Sequence, residues 1–128
     1  DNGPGWCALL LESAARVLEL KPDMPRLGDT CLGLVAPHPA GSPIDFEVRA
    51  FVPSMGIPED PATGSLNASI AQWLIGSGRA PDSYLAAQGT ALGREGRVLV
   101  ENDGVNIWVG GVTQTVIRGE VFFDDEAP

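Results

Sequence analysis

The residues best suited to chemistry stand together in one stretch, GIPEDPATGS at positions 56–65. It combines two adjacent carboxylates with two hydroxyls and a glycine, directly before an apolar run with helical spacing. If a helix begins near Gly64 and Ser65, its first backbone N–H groups have no intrahelical acceptor and lie at the positive end of the helix dipole. A carboxylate or phosphate can bind there, because Gly64 permits close approach and Thr63 and Ser65 add hydroxyl donors.

Asp60 precedes this predicted anion site by only a few residues. A carboxylate so close to a bound anion suits a proton carrier, or an acceptor for an amine of the ligand. The pattern therefore predicts a small zwitterionic ligand, with its carboxylate on the helix amides and its amine or a transferable proton near Asp60; the adjacent Glu59 need not share this role. A structural alternative fits the same residues, because Thr, Ser and Asp before a helix are ordinary caps worth about 1 kcal/mol.

Other kinds of site lack their motifs. No lysine follows Gly64, which excludes a phosphate-binding P-loop. A Gly-x-Ser-x-Gly elbow is absent, and the single histidine, His38, lies in a Pro-rich loop where a solvated residue is predicted rather than a base. Ser65 is therefore disfavoured as the nucleophile of a hydrolase.

The elements that must position these residues follow from periodicity. Strands are predicted at 6–13, 30–36 and 44–52, the first buried and the third half-buried, and Ser13 is predicted to cap a short helix. The strongest helix follows Ser65 and ends near Gly76 and Gly78. Short β-like runs at 84–89, 96–102, 105–111 and 113–123 complete the chain, with a hairpin loop around Asp103. The predicted fold is α+β, with a mixed, mostly antiparallel sheet rolled around a central helix.

Length and composition bound the function. The 128 residues are the size of one domain, and residues 124–128 are expected to form a mobile tail. Eight basic against 17 acidic residues give a net charge of -9, which disfavours nucleic acid as a partner. No apolar run approaches the roughly 20 residues of a membrane span, so a cytoplasmic protein without a membrane partner is expected. Cys7 and Cys31 lack metal-ligand spacing and are predicted to be buried free thiols.

The order of the motifs resembles a known family. RAFVPSMGIPEDPATGS at 49–65, an apolar helix, QGTALGR at 88–94 and VGGVTQTVIRGEV at 109–121 are similar to the C-terminal half of the PhzF family, the phenazine-biosynthesis isomerase-like proteins. NGPGW at 2–6 resembles the entry into the second lobe of that family, so the resemblance covers nearly the whole chain. It implies a fold similar to diaminopimelate epimerase, in which two pseudo-symmetric lobes each roll a mixed sheet around a central helix and the active site lies between them.

The resemblance also implies a chemistry and its residues. PhzF-like proteins shift protons without metal or cofactor, and the best-known member isomerises a dihydro-hydroxyanthranilate. Matched onto this chain, Asp60 and Ser65 are the candidate catalytic residues, and Thr63, Gly64 and Ser65 the candidates for binding a small-molecule carboxylate.

The catalytic glutamate and the Gly-His-Pro motif of the family belong to the first lobe and have no match here; the His-Pro at His38 lies in the wrong place. We therefore expect this chain alone to be inactive or nearly so. The face that a twin lobe covers is expected to be exposed, which predicts a homodimer or pairing with an N-terminal lobe. The alternative is a non-catalytic module of the same fold that binds a small carboxylate or a partner without turnover.

Overall fold

The computed structural model describes residues 3–122, which form one mixed sheet with three α-helices. The sheet strands are β1 (Trp6–Leu10), β2 (Cys31–Pro37), β3 (Phe46–Phe51), β4 (Glu59–Asp60), β5 (Ser83–Gln88), β6 (Gly96–Asn102) and β7 (Ile107–Gly110). The helices are α1 (Ala14–Glu19), α2 (Met24–Leu27) and α3 (Gly64–Gly76). In the part of the chain described, no helix is long and apolar enough to cross a membrane.

The strands run in the order β1-β2-β3-β5-β6-β7, with the two-residue β4 added to β3. The β1–β2 and β3–β5 pairs are parallel, and the other pairs are antiparallel. Helix α3 packs against β1, β6 and β7, so the sheet curls around it from one edge to the other. The predicted α+β fold, a mixed and mostly antiparallel sheet around a central helix, is confirmed.

Helix α3 is held by one apolar face. Leu66, Ile70 and Leu74 recur every fourth residue and are buried against the sheet, where side chains of β3, β5 and β6 complete the core. Gly33 of β2 makes room for this face, since a Cβ there would clash with the side chain of Leu66. The first turn of α3 is thereby fixed above the middle of the sheet.

Strand β3 differs from its prediction because all six of its residues are buried, on both faces of the sheet. Phe46, Val48 and Ala50 belong to the core around α3. Glu47, Arg49 and Phe51 alternate with them on the other face, which is covered by α1. The alternation of polar and apolar residues is real, but here the polar face is buried and its charges have partners. Glu47 contacts His38, and Arg49 pairs with Glu59 and lies over the ring of Phe51.

Two predictions at the N-terminal end also need correction. Strand β1 exists but is an edge strand rather than a buried one, since it pairs only with β2 and leaves Leu9 and Leu10 exposed. Cys7 and Cys31 are free thiols, as predicted, yet Cys7 is exposed and Cys31 is half-buried. The predicted cap is confirmed, because Ser13 Oγ accepts a hydrogen bond from the Arg16 amide at 3.4 Å.

The C-terminal region follows its prediction only in part. The hairpin loop forms between β6 and β7, where Asp103 accepts hydrogen bonds from the amides of Val105 and Asn106. The last predicted strand does not form within the described residues 111–122, which pair with no strand of the sheet and expose their apolar side chains. A β-prone segment without a neighbouring strand has no ladder to join. The predicted mobile tail at 124–128 lies outside the described residues.

Candidate functional site

The loop before α3 is positioned by strand β4, which pairs Asp60 with Ala50 and Glu59 with Phe51 of β3. Because neighbouring residues of a strand point to opposite faces, the two adjacent carboxylates separate. Glu59 is buried beside Arg49 on the face that carries α1, whereas Asp60 bonds to residues at the start of α3. Glu59 therefore does not share the proposed role of Asp60.

Glu59 anchors the loop through a two-pronged ion pair. Arg49 Nε and Nη2 donate to the two Glu59 carboxylate oxygens at 3.0 and 2.7 Å. The remaining guanidinium nitrogen, Nη1, donates to the carbonyls of Val17 at 3.1 Å and Leu20 at 2.7 Å. A buried ion pair whose guanidinium also donates hydrogen bonds to backbone carbonyls holds its neighbours rigidly. This pair ties the loop to both β3 and α1.

On the other side of the loop, four polar side chains form a hydrogen-bonded cluster, which we call the Gln88 network: Asp60, Thr63, Asn67 and Gln88. Asp60 is half-buried and the other three are buried. Thr63 Oγ1 donates to Asp60 Oδ2 at 2.7 Å. Gln88 Nε2 donates to Thr63 Oγ1 at 2.8 Å and to the Asp60 carbonyl at 2.9 Å. Gln88 Oε1 accepts from the Thr63 amide at 3.1 Å and from Asn67 Nδ2 at 2.8 Å. The network fixes the peptide between Asp60 and α3.

Two glycines allow the loop to approach β5 and β6. Gly96 lies opposite Gln88 across the β5–β6 pair, and a Cβ on Gly96 would clash with the Gln88 carbonyl and lie 3.0 Å from the Pro61 carbonyl. Gly89 has a φ of +85°, and a Cβ there would lie 2.8 Å from the same Pro61 oxygen. Gly89 and Gly96 thus make room for the backbone of the candidate site.

The N-terminus of α3 carries no side-chain cap. Thr63 is the N-cap residue, but its hydroxyl is engaged with Asp60 and Gln88 and makes no capping hydrogen bond. The first amides of the helix, from Gly64 onward, have no acceptor within the helix, and Gly64 is exposed. The capping alternative is therefore wrong for Thr63, the residue at the N-cap position.

The structure brings some predicted site residues together and separates others. Thr63 and Gly64 line an open cleft of about 520 Å³, whose other walls come from β6, β7 and the residues just after β7. Asp60 does not line this cleft, although it is bonded to Thr63 at its edge. The hydroxyl of Ser65 is half-buried and accepts a hydrogen bond from Trp6 Nε1 at 3.1 Å, on the β1 side of the helix.

The interpretation of His38 as a solvated loop residue is wrong. His38 Nε2 lies 3.0 Å from Glu47 Oε2, and the Glu47 side chain is almost fully buried. This pair lies at the junction of β2 and β3, and among the described residues neither member hydrogen-bonds to the Gln88 network. His38 therefore supports the sheet and is not part of the candidate site.

Sequence reasoning missed four residues of the site. Gln88 and Asn67 are fully buried polar side chains of the network, and Arg97 lines the cleft together with Glu95. Asn67 had a usable signal, since a polar residue one position after Leu66 lies near the buried face of a predicted helix. Gln88 ends an apolar strand directly before Gly89, a weaker signal because many strands end in a polar residue.

A mixed sheet curled around a central helix, with an acidic loop at the start of that helix, is the architecture of one half of a diaminopimelate epimerase-like protein. The family model described as phenazine biosynthesis-like protein, PhzC-PhzF, matches residues 1–120. This chain belongs to the PhzF family.

Similar proteins support the same assignment. "Antisense-enhancing sequence 1" of Schizosaccharomyces pombe is 32% identical over 134 residues, covering 95% of this chain and 45% of the relative. An uncharacterized isomerase of Deinococcus radiodurans is 39% identical over 107 residues, covering 75% of this chain and 34% of the relative. The chain thus spans less than half the length of each of these relatives.

Solved structures of PhzF-family proteins share the fold. The protein from Enterococcus faecalis superposes with a TM-score of 0.63 at 24% identity, over 80% of this chain and 38% of that one. A putative PhzC/PhzF protein from Clostridium difficile gives a TM-score of 0.60 at 27% identity, over 85% of this chain and 45% of that one. Both likenesses again match only part of the longer protein.

Proposed function

We propose that this chain is the C-terminal lobe of a two-lobed, cofactor-independent isomerase that shifts a proton on a small amino- or hydroxy-carboxylate. The family assignment and the isomerase relative support the reaction class. The fraction of each relative that the chain spans supports the assignment to one lobe. In this proposal the second lobe supplies the catalytic glutamate that the family resemblance implies.

The observation that carries the proposal is the exposed start of α3. Gly64 has neither a positive φ nor a neighbour within 4 Å of the position a Cβ would take. The fold therefore gives no reason for a glycine at this position. A ligand does, because a carboxylate hydrogen-bonded to the first amides needs the space that a side chain would occupy.

The charges around the cleft support a ligand with two unlike ends. Arg97 adds a cation to the same cleft as Gly64, while Glu95 and the nearby Asp60 are anionic. A carboxylate on the helix amides is attracted by the helix dipole, and an amine or a transferable proton on the same ligand can reach a carboxylate of the protein. Asp60 is proposed to contact that second group, and Ser65 to contribute its backbone amide to the first.

The exposed apolar surface supports pairing with another lobe. After β7 the chain leaves the sheet, and its side chains are almost fully exposed, with Val112 at 99% and Ile117 at 88%. Contiguous apolar residues in contact with water mark a surface that is normally covered. We propose that the N-terminal lobe covers them.

The binding half of the proposal is tested by Gly64→Ala in the two-lobed protein. Benzoate serves as the probe, because it carries a carboxylate without an amine. We expect it to shift the amide NMR signals of Gly64 and Ser65 in the wild type, and to bind at least about tenfold more weakly to the variant, since the added methyl group displaces a charged hydrogen-bond acceptor.

The matched control is Gly76→Ala at the other end of α3, where a Cβ also meets nothing within 4 Å. Both variants should unfold no more easily than the wild type, because alanine is favoured over glycine in a helix by up to about 1 kcal/mol. Equal benzoate affinity in the wild type, Gly64→Ala and Gly76→Ala would contradict a carboxylate site at the start of α3.

A further inference from the structure

Gln88 is an unusual residue for the end of a strand, because its side chain is completely buried and its side-chain hydrogen bonds go to the loop and first turns of α3. The side-chain amide makes four hydrogen bonds, two at Oε1 and two at Nε2. Its relative exposure is 0%. A buried polar group with four partners is costly to place unless all of them are present.

The orientation of this amide has only one solution. Oε1 faces the Thr63 backbone N–H, which can only donate, and Nε2 faces the Asp60 carbonyl oxygen, which can only accept. Exchanging the side-chain oxygen and nitrogen of Gln88 would place a donor against the Thr63 N–H and an acceptor against the Asp60 carbonyl oxygen. Gln88 Nε2 is therefore the group that lies 2.8 Å from Thr63 Oγ1.

This orientation fixes the direction of the next hydrogen bond. Nε2 carries only donors, so Thr63 Oγ1 must accept from it. The single hydroxyl hydrogen of Thr63 is then left for Asp60 Oδ2 at 2.7 Å. A proton on Oδ2 would meet that hydrogen head-on, so Oδ2 can act only as an acceptor. Within residues 3–122 no protein donor reaches the other oxygen, Oδ1.

We propose that Gln88 is a positioning residue that acts through Thr63 to make Oδ1 the one oxygen of Asp60 able to take a proton, and the one that meets a ligand amine with no protein donor already bound to it. The inference rests on the proposed function of Asp60 and extends it from the residue to the atom. It assigns Thr63 the role of an intermediary that orients Asp60, in addition to lining the cleft.

The test compares two isosteric variants of the same network in the two-lobed protein. Gln88→Glu replaces the donating Nε2 with an oxygen, so it removes the bonds to Thr63 Oγ1 and to the Asp60 carbonyl. Asn67→Asp removes the two bonds donated by Asn67, to Gln88 Oε1 and to the Thr63 carbonyl at 2.8 Å, and leaves the Thr63 hydroxyl untouched. Chemical denaturation establishes that both variants are folded and how much stability each has lost.

The first readout is the Thr63 hydroxyl proton, observed by NMR through its correlation to the Thr63 side-chain carbons. We expect a slowly exchanging signal in the wild type and in Asn67→Asp. In Gln88→Glu the hydroxyl has two competing carboxylate acceptors, so the signal should be lost to exchange. A signal retained in Gln88→Glu, or lost equally in Asn67→Asp, would overturn the inference.

The second readout is the preference for anthranilate, which carries an amine, over benzoate, which does not. We expect about a tenfold preference in the wild type and in Thr63→Ser, and none in Gln88→Glu or Thr63→Val, the preference being the ratio of the two affinities measured in the same variant. A preference retained in Gln88→Glu overturns the positioning role. A wild type that shows no preference counts against the proposed amine contact of Asp60, while the hydroxyl signal still decides the hydrogen-bond direction.

Discussion

Glu59 and Asp60 show how two identical functional groups, one peptide apart, acquire opposite tasks. The alternation of a strand turns Glu59 to the α1 face and Asp60 towards α3. Arg49 neutralises Glu59, whereas within residues 3–122 the Asp60 carboxylate accepts a single side-chain hydrogen bond, from Thr63. Glu59, whose charge is neutralised, holds the loop, and Asp60 is available to a ligand.

Tyr84 is the residue whose chemistry is most altered by the fold. It packs edge-to-face on Phe46 with ring centroids 5.0 Å apart, and its hydroxyl is buried with no hydrogen-bond partner in the described part of the chain. Burial raises the pKa of the Tyr84 phenol to about 12. Tyr84→Phe should therefore raise the free energy of unfolding by about 1 kcal/mol, because it removes an unsatisfied buried hydroxyl.

The pH dependence of stability gives a second measurement on Tyr84. A phenol ionises near pH 10 in the unfolded chain and near 12 in the folded one, so its contribution is fully present below pH 10 and is lost as pH rises through about 12. Tyr84 is the only tyrosine, so its ionisation can be followed by ultraviolet absorbance. A phenol that titrates at pH 10 in the folded protein would contradict this account.

At the scale of elements, the candidate site depends on how closely the loop before α3 approaches the β5–β6 pair. Gly96 is the point of contact, because any Cβ there meets the backbone of both Gln88 and Pro61. Gly96→Ala should lower the free energy of unfolding by about 1–3 kcal/mol, since backbone atoms cannot move aside as a side chain can. Denaturant unfolding measures the difference.

Gly110→Ala is the matched control for this substitution. Gly110 lines the same cleft as Gly96 but has nothing within 4 Å of the position of a Cβ. The Gly110→Ala variant should unfold at nearly the same denaturant concentration as the wild type. Equal destabilisation by Gly96→Ala and Gly110→Ala would contradict this account. The lost stability would then come from replacing a flexible glycine and not from the contact between the loop and the sheet.

The elements that sequence predicted well are those whose signals are local. Helix α3 has its apolar period, and the hairpin loop at Asp103 has its turn residues. The burial of β3 could not be predicted in the same way, because its polar face is covered by α1, a distant element, and neutralised by Glu59. The prediction of a strand after β7 was wrong for the same reason, since strand formation requires a neighbouring strand that local sequence does not reveal.

The candidate site was predictable in outline at the scale of the whole molecule. The order of residues from Asp60 to Ser65 indicated an acidic group beside a helix N-terminus, and the fold places them there. What sequence could not supply is the direction of each side chain. Ser65 bonds to Trp6 across the helix, and Gln88 reaches the loop from a strand more than twenty residues later.

The site also has a boundary that one lobe does not close. The cleft beside Gly64 is open, and the apolar residues after β7 extend from the same edge of the sheet. A proton shift requires an acid or base positioned at the reacting carbon. The charge that develops on that carbon is shielded from water only in a closed site. In our proposal the missing wall and the catalytic glutamate come from the N-terminal lobe.

The most direct test of this account is solvent-deuterium incorporation into small amino- and hydroxy-carboxylates, followed by mass spectrometry in D₂O. The two-lobed protein should label the carbon next to the carboxylate of at least one compound, whereas this chain alone should not. Asp60→Ala should abolish labelling, while the amide NMR spectrum of the variant should still be that of a folded protein. Wild-type labelling by Asp60→Ala, or by this chain alone, would contradict the proposed mechanism, and carboxylate binding without any labelling would instead favour a non-catalytic binding module.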